Sequence, residues 1–83
     1  MKKFNPNDSN VTFVAYQPIS ELNGQEISVV LHPLQYKLAR GEDGFEAPSQ
    51  SDVFEHNRYG SNGSVSIFVS TLVPQGKMCI IKS

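Results

Sequence analysis

The sequence predicts a small α+β domain, in which a mostly antiparallel four-stranded sheet carries one or two short helices on one side. Three observations point there. VTFVAY, from Val11 to Tyr16, is dense in β-branched and aromatic residues. EISVVLHPLQYKLAR, from Glu26 to Arg40, reads as a buried strand that gives way to a short helix at Pro33. In SVSIFVSTLVPQGKMCIIKS, apolar and polar residues alternate with period two before a proline-glycine turn and a second apolar run.

The elements follow in order. Residues 1–10 are polar and contain Pro6, so they are expected to form a flexible arm. The VTFVAY strand ends ahead of Pro18, and ISELNG is expected to make one helical turn that closes on Asn23 and Gly24. In the next segment Ile27, Val30, Leu31, Leu34 and Leu38 fall at helical spacing, but a continuous helix is broken by Pro33, which lacks an N–H and clashes with the preceding turn. Splitting the segment resolves the conflict. Residues 26–31 become a strand, Pro33 takes the first helical position, and Lys37 and Arg40 complement the dipole before Gly41 stops the helix. Further on, Val65, Ile67 and Val69 alternate with Ser66, Phe68 and Ser70. Pro74 and Gly76 are expected to close a hairpin, whose return strand, with Met78, Cys79, Ile80 and Ile81 apolar on both faces, lies inside the sheet. Residues 11–83 thus form one domain, interrupted by a long loop at residues 41–63.

Composition excludes several classes of function. The net charge is −1 and the seven basic residues are scattered, so direct nucleic-acid binding is not expected. The lone Cys79 allows no internal disulfide and sits among apolar neighbours, as a buried structural cysteine would. No apolar run approaches the ~20 residues that span a bilayer, and the start of the chain lacks a signal-peptide core. A cytoplasmic protein without a membrane partner is the expectation.

No catalytic or cofactor motif is present, and the chain is read as non-enzymatic and free of cofactors. His32 and His56 lack the partners at fixed spacing that zinc or general-base chemistry needs. His32, just ahead of Pro33, suits a helix cap. His56 has Asp52 and Glu55 nearby that could hold it cationic, but a solvated loop histidine is the favoured reading. Glu42, Asp43 and Glu46 flank two glycines, yet their spacing is not that of a calcium loop.

What stands out is the loop itself. Five of the eight acidic residues (Glu42, Asp43, Glu46, Asp52 and Glu55) fall in its 23 positions, with the aromatics Phe45, Phe54 and Tyr59. Flexible tethers are poor in aromatics. Within it, SDVFEHNRYG reads as a helical turn or two, capped by Asp52 with Glu55 or by Ser51, with Val53 and Phe54 starting an apolar face and Gly60 as the stop. Either the rings cover the sheet or they form a contact patch. A protein-binding surface is expected at Glu42, Asp43, Phe45, Glu46, Asp52, Phe54, Glu55, Arg58 and Tyr59, where aromatic anchors and an arginine supply affinity and the acids steer a partner with a basic surface. Self-association into a homo-oligomer through strand edges is the alternative.

The strand and Pro-led helix in ISVVLHPLQYKL, followed by a loop and GSVSIFVSTLVPQGKMCII, resemble the end of the major capsid proteins of tailed phages. This resemblance covers residues 26–82. It implies a phage or mobile-element setting, for example as an inhibitor, an accessory factor or a virion protein, and it implies no site residue.

Overall fold

The computed structural model describes residues 11–82, so the expected arm at residues 1–10 lies outside the described part. The elements are β1 (Val11–Ala15), a 3-10 helical turn (Ile19–Leu22), β2 (Ile27–Leu31), α1 (Pro33–Arg40), β3 (Phe45–Glu46), α2 (Gln50–His56), β4 (Arg58–Asn62), β5 (Val65–Val69) and β6 (Lys77–Lys82). The α+β class stands. The expected four-stranded sheet is corrected to six strands, in the order β1-β6-β2-β5-β4-β3, and the sheet is mixed, because β2 and β5 run parallel while the other neighbours are antiparallel.

The local signals at the start of the chain act as expected. Pro33 opens α1, and His32 caps it by accepting the Leu34 N–H on Nδ1 at 3.1 Å. The cap supplies an acceptor that the first helical turn lacks. Lys37 and Arg40 occupy the last turn, and α1 gives way at Gly41.

The expected hairpin between β5 and β6 does not form. β2 lies between them, parallel to β5 and antiparallel to β6. A hairpin loop joins strands ~4.8 Å apart, whereas the segment after β5 must cross twice that distance. It does so over the end of β2, where Ser70 N–H donates to the Leu31 carbonyl at 2.9 Å. Pro74 and Gly76 still turn the chain, with Gly76 at φ 78° and Lys77 N–H donating to the Pro74 carbonyl at 3.2 Å, but this turn feeds β6 from the crossover. The reason lies in β2. ISVVL is apolar on both faces, and such a strand is best buried in the middle of a sheet.

Both faces of the sheet carry a core. Ile27, Val29, Leu31, Val65, Ile67 and Met78 pack with Ile19, Leu22 and Ala39 on one side. On the other, Val30, Phe68 and Cys79 pack beneath Val73 from the β5–β6 crossover. Cys79 is fully buried, and burial pushes its thiol up to about 11, as suits a structural cysteine in an interior strand.

Candidate binding face

Residues 41–63 do not form an irregular loop. They hold β3, α2 and β4, which extend the sheet beyond β5. The hairpin missed in the sequence is here, between β4 and β5, and its two-residue turn is Gly63-Ser64, with Gly63 at φ 59°. Glycine at the first turn position, followed by a residue with negative φ, is the turn that matches strand twist. A second loop locks onto this turn. Gly24 N–H donates to Ser64 Oγ at 3.1 Å, Ser64 Oγ donates to the Gln25 carbonyl at 2.8 Å, and Ser64 N–H donates to Asn23 Oδ1 at 3.3 Å.

α2 forms where a turn or two is expected, but its cap differs. Ser49 is the N-cap. Its hydroxyl accepts the Asp52 N–H at 3.1 Å, and Asp52 Oδ2 accepts the Ser49 N–H at 3.3 Å, so Asp52 is the reciprocal partner rather than the cap. Asn57, in the left-handed conformation at φ 55°, ends the helix in place of Gly60. Gly60 is buried in β4 instead, where a Cβ would lie 2.7 Å from the Phe45 ring.

The predicted site residues then divide. Glu42 is drawn inward: Oε2 accepts from the Tyr16 hydroxyl at 3.0 Å and from Ile19 N–H at 3.0 Å, while Oε1 accepts from Ser20 N–H at 3.0 Å. It thereby caps the Ile19–Leu22 turn from another part of the chain, because the preceding residue is Pro18, whose side chain caps nothing. Burial opposes the Glu42 charge, but the hydrogen bonds from Ile19, Ser20 and Tyr16 outweigh it and lower the pKa. Burial and then the Glu42 carboxylate raise that of Tyr16.

Phe45 and Tyr59 also face inward, and both meet Tyr36 of α1 edge to face, with ring centroids 6.2 and 6.1 Å apart. The Tyr36 hydroxyl donates to the Tyr59 carbonyl, and the Arg40 guanidinium lies 6.0 Å from the Tyr36 ring centre. Asp52 pairs with Arg58 at 3.7 Å. Asn62, 2% exposed, donates through Nδ2 to the Asp43 carbonyl at 3.1 Å and anchors the chain entering β3. Tyr36 and Asn62 organise this end of the molecule, and sequence reasoning singled out neither.

Asp43, Glu46 and Glu55 are exposed, and so is Phe54, at 81%. Of the two rings offered as a cover for the sheet, Phe45 packs against the core and Phe54 does not. These four residues border the β3/β4 end of the sheet, where α2 packs on β4. On α1, Leu34 and Leu38, one turn apart, are 45% and 59% exposed.

Among the described residues, no group of three or more His, Cys, Asp or Glu side chains is placed to hold a metal ion. No described helix is long and apolar enough to cross a membrane. The chain matches no family model, no curated protein and no solved structure.

Proposed function

We propose that this protein is a small non-enzymatic binding factor that engages another protein through α2 and the acidic side chains beside it. One observation carries the reading. Phe54 stands 81% exposed in a helix capped at both ends. Its ring gives the fold little, whereas a rigidly presented aromatic is the kind of residue that dominates binding energy once a partner buries it.

Charge defines the partner. Five carboxylates against one guanidinium leave −4 on residues 41–63, in a chain whose total is −1. Asp43, Glu46 and Glu55 are the exposed members, and they favour a protein with a basic rim around an apolar pocket. The same field repels phosphate backbones, which disfavours nucleic acid as a direct partner. The resemblance of residues 26–82 to the end of tailed-phage capsid proteins supports a phage or mobile-element inhibitor or accessory factor, acting in the host cytoplasm without a cofactor.

The test is affinity capture from host extract, with bound proteins identified by mass spectrometry. Phe54→Ala, and separately the combined Asp43→Asn, Glu46→Gln and Glu55→Gln variant, should lose the protein that the wild type retains, while circular dichroism stays unchanged. Retention of the same protein by both folded variants would refute this reading.

A further inference from the structure

We infer that β1 is a self-pairing edge through which two copies of this chain join their sheets. β1 lies at one end of the strand order and pairs only with β6 among the described residues. Its register places Val14 opposite Met78 and Ala15 opposite Lys77, and Tyr16 N–H continues the ladder by donating to the Gly76 carbonyl at 3.0 Å. Hydrogen bonding alternates along an antiparallel pair. Thr12, Val14 and Tyr16 therefore bond inward to β6, and the main-chain groups of Val11, Phe13 and Ala15 point outward.

The two edges of the sheet are built differently. β3 has two residues, one of them Glu46, and Pro48 follows closely, so little can be added to it. β1 has five residues, VTFVA, with no charge, proline, glycine or bulge. Those are the devices that keep an edge from pairing. Phe13 is 40% exposed, and Thr12 and Ala15 are also exposed.

A row of outward N–H and C=O groups takes an extended strand, and the side chains select which one. Antiparallel pairing about Phe13 sets Phe13 opposite its own copy and Val11 opposite Ala15 of the other chain. That arrangement is two-fold symmetric, as a closed dimer requires. Because the strand is uncharged, no charge meets itself across the axis. A neutral, self-complementary edge of this kind fits a second copy and offers nothing to choose a charged partner. The Phe13 pair is of the aromatic cross-strand type that stabilises sheets. This inference is independent of the function proposed for α2.

Sedimentation equilibrium of the full chain, from low to high micromolar concentration, tests it. The wild type should pass from monomer to dimer. Phe13→Pro removes an outward N–H and the ring but leaves the β6 ladder intact, and should weaken the dimer more than about tenfold. Ala15→Lys, at an exposed position, sets a cation against the partner strand and should weaken it comparably, even if Phe13→Pro fails to fold. A wild type that stays monomeric at every concentration overturns the proposal, as does a dimer that Ala15→Lys leaves unchanged. A full chain that stays monomeric while the chain lacking residues 1–10 dimerises would assign the edge to that segment and overturn it as well.

Discussion

Residues 41–46 and residues 50–56 belong to one acidic, aromatic stretch, and folding treats them in opposite ways. The first part turns its chemistry inward: Glu42 holds the Ile19–Leu22 turn and Phe45 packs against Tyr36 and the main core. The second builds α2, whose ring at Phe54 faces solvent. The carboxylate is thus consumed by the fold and the phenyl ring left outside, the reverse of what hydropathy alone would assign. Local demand explains the inversion. Pro18 leaves the N–H groups of Ile19 and Ser20 without a side-chain cap, so a carboxylate is worth burying there. Around α2, by contrast, the space on the larger sheet face is already taken by α1 and the Ile19–Leu22 turn.

The inward-turned residues of the first part, Glu42 and Phe45, and the backbone packed against them should be what cannot be altered, whereas Asp43 and Glu46 stay exposed. Gly60 is the sharpest point of attack, because it sits at φ 140° and a Cβ would lie 2.7 Å from the Phe45 ring and 2.8 Å from the Glu46 carbonyl oxygen. Gly60→Ala should cost about 3 kcal/mol from backbone strain and overpacking together. In a domain this small, that is a large part of the total stability. Urea denaturation measures it, and a loss below about 1 kcal/mol would mean that β3 yields to its neighbour, against the rigid inward packing described here.

A smaller and more diagnostic effect is expected at Glu42. Glu42→Gln keeps one acceptor oxygen but loses the charge, and should cost about 1–2 kcal/mol at neutral pH. The folded-state pKa of Glu42 is lowered, so its contribution is complete above the unfolded value of ~4.3 and is lost as pH falls through the folded value. The stability gap between wild type and variant should therefore close on acidification. A gap of the same size at pH values well above and well below that window would show that the charge is not what Glu42 contributes.

This contrast was only partly legible in the sequence. β1, the Ile19–Leu22 turn, the strand-to-helix switch at Pro33 and the interior position of β6 rest on signals within a few residues, and those signals were sufficient. Strand order was not, because insertion of β2 between β5 and β6 depends on which apolar strand gains most from burial on both faces. β4 escaped notice since RYGSN has no β-branched residue; it is held by its register with β5 and by the Gly63-Ser64 turn, which is a recognisable hairpin signal. The role of Glu42 could not be read at all. Its partners are Tyr16, Ile19 and Ser20, more than twenty positions away, and no spacing rule links a carboxylate to a distant helical turn.

The outward half should tolerate change in the sheet's terms while losing what α2 presents. Ser49→Ala removes the hydroxyl that accepts the Asp52 N–H and leaves the reciprocal bond unsupported. N-cap losses run to about 1 kcal/mol, and here the global cost should fall below that, because α2 packs chiefly on β4 and can fray without opening either core. The local cost should be visible instead. Val53 N–H donates to the Ser49 carbonyl at 3.2 Å in the first turn, so its amide should exchange with solvent faster in the variant, while amides of β2 and β6 keep their protection. Partner capture should weaken in parallel, since Phe54 is then carried by a frayed helix and must be ordered at the moment of binding. If Ser49→Ala instead destabilises the whole domain as much as Glu42→Gln does, α2 is as integral as the inward half, and the exposure of Phe54 loses its meaning as a sign of function.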